Sequence, residues 1–132
     1  MMRIVMGGVR GTSPLSSPDF IRYGGATTSV LVDDGAGSHI VIDAGTGLRT
    51  LQSLLSDART NAPVLMLLTH YHLDHLMGLP SFSPLYRPDY SMTFAAPLRD
   101  GISAEQALRR LMEKPFWPVD FCAQRSFLVL PE

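Results

Sequence analysis

The feature that most constrains this chain is a cluster of histidines that directly follows an apolar run. Three of the four histidines lie within residues 70–75, which we call the histidine cluster. With the His and Asp frequencies of this chain, the pattern H-x-H-x-D-H should arise by chance in roughly 2 of 10,000 such chains. The preceding residues, 64–69, form a continuous apolar run that begins after Pro63. This run predicts a strand buried on both faces that ends at the cluster.

The spacing within the cluster suits metal coordination. His70 and His72 are two residues apart just past the predicted strand, so both side chains can project to the same side. Imidazole nitrogen suits zinc or iron, and two ligands on a stiff strand end need little ordering when an ion binds. Asp74 and His75 follow in the turn, where they can reach a second ion. Two ions about 3.5–4 Å apart can activate water and bind the oxygens of an in-line displacement.

A simpler interpretation of the cluster is a solvated loop or helix start that happens to be rich in histidine. His39 differs from the other three histidines because it stands alone at the head of a predicted strand. We expect it to be structural or exposed, and we do not count it among the candidate ligands.

Length and composition predict a single globular domain over residues 1–132, with 45% hydrophobic residues and enough apolar material for a core. Eleven basic and twelve acidic residues give a net charge of −1, which excludes a long-range attraction to nucleic acid or membrane but not a local basic groove.

Cys122 is the single cysteine, which excludes an internal disulfide and a cysteine-based zinc knuckle; we interpret it as a half-buried, inert thiol. Neither a signal peptide nor a membrane span is predicted, so the expected location is the cytoplasm.

The rest of the chain alternates between predicted strands and helices, which indicates an α/β fold. Strands are predicted at residues 2–9, 27–32, 39–42, 64–69, 91–95 and 127–130. One helix is predicted from residue 48 to about Ala58, where leucines recur at three- and four-residue spacing. A second is predicted from Ser103, a plausible N-cap, to about Lys114. The glycines at 24–25 and 45–47 are expected to serve tight turns, because the G-x-G-x-x-G spacing of a dinucleotide site is missing.

These motifs together resemble the metallo-β-lactamase superfamily, over nearly the whole chain. The similarity lies in the histidine cluster and in residues 11–14 (GTSP), 22–29 (RYGGATTS), 42–47 (IDAGTG), 68–70 (LTH) and 75–80 (HLMGLP). The flanking motifs resemble the phosphodiesterase branch of that superfamily. This branch includes tRNA 3′-processing endonucleases, cyclic-nucleotide phosphodiesterases and a phosphonate-pathway cyclic phosphodiesterase.

The resemblance implies a role for each candidate residue. His70 and His72 would bind a first divalent metal, and Asp74 and His75 a second, with Asp74 also the candidate catalytic residue. Zinc is the first choice of metal, with manganese or iron as alternatives. Asp43 would lie behind the site and support the metal-binding loop, since ligating histidines usually donate their second N–H to a carboxylate or carbonyl. The alternative for Asp43 is a turn aspartate that satisfies its own backbone.

The implied fold is a four-layer αββα sandwich of two similar halves, and this chain matches only the first. A complete site also has a later histidine, a bridging aspartate and a final histidine. No histidine follows His75, and the aspartates at 89, 100 and 120 lie in no context that resembles the bridging motif. We therefore expect the N-terminal half of such a fold, a mixed sheet with flanking helices, which binds metal weakly or not at all on its own.

Two functions from different classes stay open at this point. The chain is either the ligand-bearing half of a metal-dependent phosphodiesterase, acting on a cyclic nucleotide, a cyclic phosphate or an RNA 3′ end, or a non-catalytic half-domain that binds a metal or a partner. A lactone, thioester or β-lactam hydrolase of the same superfamily is a lesser option, against which the opening motifs argue.

Half of a sandwich leaves one face of its sheet without a partner, and this predicts self-association. The apolar side chains that should lack a cover are Val30, Val32, Ile42, Leu65 and Leu67. We expect a homo-oligomer, most simply a two-fold dimer, or a complementing second half.

Overall fold

A single mixed sheet organises the computed structural model, which describes residues 1–56, 62–119 and 125–131. Six strands lie in chain order: β1 (Arg3–Gly8), β2 (Ser29–Asp33), β3 (His39–Ile42), β4 (Val64–Leu67), β5 (Met92–Pro97) and β6 (Ser126–Leu130). The first three strands pair antiparallel, and β3 to β6 pair parallel. Together with two helices this confirms the predicted α/β class and the mixed sheet with flanking helices.

The two helices pack on the same side of the sheet. Helix α1 (Leu48–Leu55) buries Leu48, Leu51 and Leu55, which recur along one stripe of the helix. Helix α2 (Ala104–Leu111) begins at a capping box, in which Ser103 accepts the Gln106 N–H and the Gln106 side chain accepts the Ser103 N–H. The helix ends at Leu111, earlier than the predicted Lys114, and a turn follows. Four short 3₁₀ turns complete the secondary structure: Pro18–Phe20, Leu73–His75, Leu79–Ser81 and Ser83–Tyr86.

The two faces of the sheet differ in how they are covered. The covered face packs against α1, α2 and the 3₁₀ turns, and its central row consists of Val5, Leu31, Val41, Met66, Phe94 and Phe127. The open face includes Ala95, which is buried, and a set of half-buried or exposed residues: Ile4, Met6, Val30, Val32, Ile40, Ile42, Leu65, Leu67, Thr93 and Leu128. No described element lies across the open face.

The prediction that residues 64–69 form a strand buried on both faces is therefore wrong for this chain. Val64 and Met66 are buried, whereas Leu65 and Leu67 on the same strand are only half-buried. The apolar run is continuous because both faces are apolar, but the described helices cover only one of them.

Two predictions concern residues that the structure does not describe. The predicted end of α1 near Ala58 and the interpretation of Cys122 as an inert thiol lie outside the described residues.

His39 is 8% exposed, with its Nε2 atom 3.9 Å from Asp33, at the opposite end of β3 from the histidine cluster. Among the described residues, no helix has the length and apolar character needed to cross a membrane.

Candidate metal centre

The candidate site lies at the carboxyl ends of β3 and β4. These strands are parallel, with Ile42 paired to Leu67, so the segments that follow them emerge side by side. Asp43 follows β3 directly, and its N–H donates to the Leu67 carbonyl at 2.8 Å. His70 lies three residues beyond the end of β4. The parallel crossover through α1 thus brings together chemical groups that are about thirty residues apart in the sequence.

Asp43 lies behind the cluster as a buried carboxylate with its oxygens occupied. The side chain accepts hydrogen bonds from the Thr69 N–H at 2.8 Å and from the Thr69 hydroxyl at 2.9 and 3.0 Å. Its Oδ2 atom lies 2.8 Å from His75 Nδ1. Asp43 is 2% exposed and has a φ of 61°, in the left-handed region that aspartate tolerates better than most residues. The described contacts therefore connect Asp43 to the loop that follows β4, and do not support the interpretation as a self-satisfied turn aspartate.

His75 is oriented by this contact. Because a carboxylate only accepts hydrogen bonds, Nδ1 donates to Asp43, and in the neutral imidazole the lone pair lies on Nε2, on the far side of the ring. The Nε2 atom lies 3.4 Å from Asp74 Oδ2. Two ligand atoms each about 2.0–2.1 Å from a tetrahedral zinc ion lie roughly 3.4 Å apart, so this pair already has the spacing of two ligands to one ion.

Asp74 is held by the loop between β1 and β2. Its Oδ2 atom accepts the Thr12 N–H at 2.8 Å. This hydrogen bond is the main reason that the pKa of Asp74 is lowered; desolvation opposes it, and the nearby His75 adds to the lowering. The side chain is therefore ionised near neutral pH, which is the form that binds a cation.

His70 and His72 lie next to this pair. The ring centroid of His70 is 4.1 Å from that of His75 and 4.5 Å from that of His72. Burial lowers the pKa of His70, and the neighbouring His75 and His72 lower it further. A lowered pKa favours the neutral imidazole, which is the metal-binding form. The Nδ1 atom of His70 lies 3.0 Å from the Thr69 hydroxyl.

The four predicted ligands are thus brought together, but they do not form a closed metal site. The donor types, the orientation of His75 and the shifts at Asp74 and His70 fit a divalent ion. Within the ranges that the structure describes, however, no group of three or more His, Cys, Asp or Glu side chains is arranged to hold one. The assignment of these residues as ligands stays a prediction.

Backbone packing fixes the loop that carries the cluster. The Ala44 N–H donates to the His75 carbonyl at 2.7 Å, and the Gly78 N–H donates to the Ala44 carbonyl at 2.9 Å. A Cβ atom on Gly45 would lie 2.3 Å from the Asp74 carbonyl oxygen, and one on Gly78 would lie 2.0 Å from the Gly45 carbonyl oxygen. Only glycine allows this approach, so Gly45 serves close packing under the cluster and not simply a tight turn.

Three contributors to the site were missed in the sequence: Thr12, Thr69 and Gly78. Thr69 directly precedes His70, and its hydroxyl contacts both Asp43 and His70. Its position at the end of a predicted strand, directly before a metal motif, is a usable signal. Thr12 lies 62 residues from Asp74, and no local pattern marks that contact.

Comparison with known families agrees with the geometry. The family model described as the metallo-beta-lactamase superfamily matches residues 22–90, a span that contains Asp43 and the whole histidine cluster. The search of curated proteins finds no match. The six-stranded mixed sheet with flanking helices is consistent with part of the fold of that family. Since the match spans more than half of the 132 residues, the chain belongs to the metallo-beta-lactamase superfamily, and this membership indicates a metal-dependent hydrolase that uses divalent ions.

Proposed function

We propose that this chain carries the ligand-bearing half of a metal-dependent phosphodiesterase that acts on a cyclic nucleotide, a cyclic phosphate or an RNA 3′ end. The observation that carries the proposal is the oriented pair His75–Asp74, with Nε2 and Oδ2 3.4 Å apart and Asp43 behind the imidazole. The phosphodiester substrate class is supported by the motifs at 11–14 and 22–29, which resemble the phosphodiesterase branch.

Each residue has a defined part in this proposal. His70 and His72 would hold one ion and Asp74 and His75 a second, while Asp43 keeps the His75 ring in the tautomer that exposes Nε2. Bound divalent ions, most simply two zinc ions, with manganese or iron as alternatives, supply Lewis acidity and an activated water. Asp74 is the candidate catalytic residue because its carboxylate faces the space between the histidines and the Thr12 loop.

The proposal requires further donors beyond those described here. We expect them to come from additional sequence of the same protein or from a second chain. Reading the gene past the codon for Glu132 distinguishes these sources, since a continuing frame that encodes further His and Asp residues supports the first.

A second candidate function is a non-catalytic half-domain that binds a metal or a partner. The observation that favours it is the absence of a three-donor group among the described residues. The two candidates differ in whether a completed ligand set hydrolyses phosphodiesters.

Metal affinity gives the direct test of the site. Calorimetric titration of the chain with Zn²⁺ should show weak binding, and H75A and D74N should each reduce it at least about tenfold, because each removes half of the oriented pair. The matched controls are H39Q, at the far end of β3, and D89N, whose carboxylate pairs with Arg87 on the surface. Equal losses in the controls would contradict the assignment of the site.

Hydrolysis tests the reaction. The 132-residue chain should hydrolyse bis(p-nitrophenyl) phosphate negligibly with Zn²⁺ or Mn²⁺, whereas a form with a complete ligand set should turn it over. Alanine at His72 or Asp74 in that form should abolish turnover without unfolding the protein. Turnover that survives both substitutions and added chelator would refute the metal-hydrolase proposal. A greater activity toward a lactone or thioester would refute the proposed substrate class.

A further inference from the structure

A cavity of about 480 Å³ lies in the loop between β1 and β2, and none of the roles assigned so far uses it. We call it the loop cavity; the lining side chains that matter here are Arg10, Thr12, Phe20 and Tyr23. Its volume falls within the range of about 300–1,000 Å³ that small-molecule sites usually have.

The loop cavity shares a wall with the candidate metal centre. Thr12 lines the cavity, and its backbone N–H donates to Asp74 Oδ2 at 2.8 Å. A molecule bound in the cavity would therefore be separated from Asp74, a predicted metal ligand, by Thr12. This adjacency makes the cavity a place for the part of a substrate that does not react.

The cavity is built by a loop whose two arms are hydrogen-bonded together. The Arg10 N–H donates to the Ala26 carbonyl, and the Leu15 N–H donates to the Gly25 carbonyl, both at 3.0 Å. A Cβ atom on Gly25 would lie 1.5 Å from the Leu15 carbonyl oxygen, so the close approach of the arms requires glycine there. The loop is thus a defined structure in which the cavity is largely preformed.

One arginine–aromatic stack, Arg10–Phe20, lines the cavity, and a second, Arg22–Tyr23, adjoins it through Tyr23. The Arg10 guanidinium lies 4.5 Å from the centroid of the Phe20 ring, and the Arg22 guanidinium lies 5.1 Å from the centroid of the Tyr23 ring. Within the described residues, neither arginine forms an ion pair with a carboxylate. The Tyr23 side chain is largely exposed.

This combination matches the two parts of a nucleotide. Guanidinium groups bind phosphate through paired hydrogen bonds, and both guanidinium planes and aromatic rings stack on nucleobases without needing a particular base. An apolar acyl or lactone substrate would use the aromatic rings but would offer no anion to the Arg10 guanidinium, whose Nε donates to the Ser13 carbonyl at 2.9 Å.

We infer that the loop cavity binds the nucleoside part of a phosphodiester substrate, with the base stacked against Tyr23 and the Arg10–Phe20 pair and the phosphate directed past Thr12 toward Asp74. The inference rests on the proposed phosphodiesterase function and narrows its substrate class to nucleotides. Free cyclic nucleotides and RNA 3′ ends share this chemistry.

Binding in the absence of metal tests the cavity separately from the metal centre. The chain is titrated with 5′-AMP in the presence of EDTA, and backbone amide shifts are followed by NMR. Shifts should concentrate at residues 10–12 and 20–24, and ribose 5-phosphate, which lacks the base, should bind at least about tenfold more weakly. Titration with 3′,5′-cyclic AMP and with a three-nucleotide RNA identifies which source of the nucleotide is preferred, and tighter binding of either supports the inference.

Variants with matched controls assign the interaction to named residues. Y23L and R10Q should each weaken 5′-AMP binding about five- to tenfold, whereas F116L and R49Q, an exposed aromatic residue and an exposed arginine outside the cavity, should leave it unchanged. G11V adds bulk where a Cβ atom meets open space, so it should block the cavity without a clash. An unchanged fold in each variant is checked by circular dichroism.

Equal affinity for 5′-AMP and ribose 5-phosphate, or a G11V variant that binds as well as the wild type, would overturn the inference. Neither result affects zinc binding by the chain, so the proposed phosphodiesterase function would stand. Conversely, a chain that binds 5′-AMP but shows no zinc binding, or zinc binding that H75A and D74N do not weaken, would refute the proposed metal site and leave a nucleotide-binding cavity.

Discussion

The two faces of the sheet have nearly the same chemistry and opposite environments. On β4, Val64 and Met66 point to the covered face and are 1% and 0% exposed, whereas Leu65 and Leu67 point to the open face and are half-buried. A sheet with one solvated face normally alternates apolar and polar residues. Here both sets are apolar. The difference shows that the sequence of β4 is suited to burial on both sides, while the described helices supply a cover on one.

The same contrast extends to the edges of the sheet. On the open face, Ile4, Met6 and Leu128 are more than half exposed, in the edge strands β1 and β6. On the covered face, Leu31 and Val41 are fully buried beneath α1 and its neighbours. We expect the apolar surface of the open face to be larger than soluble monomers usually present.

The largest expected effect separates the two faces on a single strand. M66A should lower the free energy of unfolding by about 2–5 kcal/mol, because it leaves a cavity in a fully packed core. L65A, one position earlier on the open face, should cost less than about 1 kcal/mol if water already reaches that side chain. Chemical denaturation of both variants measures the difference. A loss at Leu65 as large as that at Met66 would mean that the open face is covered in solution.

Self-association is the next effect in size and tests what covers the open face. We expect sedimentation of the chain at tens of micromolar to show a dimer or larger assembly. M6K and L128K, on the two edge strands, should each raise the dissociation constant at least about tenfold, which corresponds to about 1.4 kcal/mol. F116K places the same charge on an exposed aromatic residue that is not part of the open face, and it should have no effect. A stable wild-type monomer would contradict the assembly.

The sequence predicted secondary-structure elements well where the residues that determine them are close together in the chain. The strand at 39–42 has the predicted bounds, and Ser103 caps α2 as expected because its partner Gln106 lies only three residues away. The α/β order followed from alternating periodicity. The position of Asp43 near the cluster came from a family resemblance, and the parallel pairing of β3 and β4 gives it a physical cause.

What the sequence did not predict depends on contacts between distant segments. The half-exposure of Leu65 and Leu67 depends on which elements cover each face, and an apolar run carries no information about that. The hydrogen bond from Thr12 to Asp74 joins segments 62 residues apart, and the loop cavity beside it is lined by an irregular loop, so neither produces a periodic pattern. The sequence therefore predicted which side chains come together at the candidate site better than it predicted their surroundings.

Alkaline pH tests whether the covered side excludes water. Tyr90 belongs to the covered core, its hydroxyl donates to the Leu55 carbonyl at 2.9 Å, and burial raises the pKa of Tyr90 to about 12. Because the folded pKa is higher than the unfolded value of about 10, the associated stability is complete below pH 10 and is lost as the pH rises through 12. Y90F should be less stable than the wild type at pH 8, and the gap should narrow by at most about 1.4 kcal/mol at pH 11. A gap of constant size would show that water reaches Tyr90.

The smallest effect concerns the N-cap of α2, where a substitution changes no side chain of either face of the sheet. Ser103 accepts the Gln106 N–H at 3.3 Å and donates its own N–H to the Gln106 side chain at 2.9 Å. S103A removes the first of these bonds and should lower the free energy of unfolding by about 1 kcal/mol. S83A, at an exposed position that begins a 3₁₀ turn without a side-chain cap, is the matched control and should change stability by less than about 0.5 kcal/mol. Because α2 buries Ala104 and Leu108 against the covered face alone, the loss should leave the sedimentation of the chain unchanged. A shift in association with S103A would mean that α2 also supports the open face, and the two sides of the sheet would no longer be energetically independent.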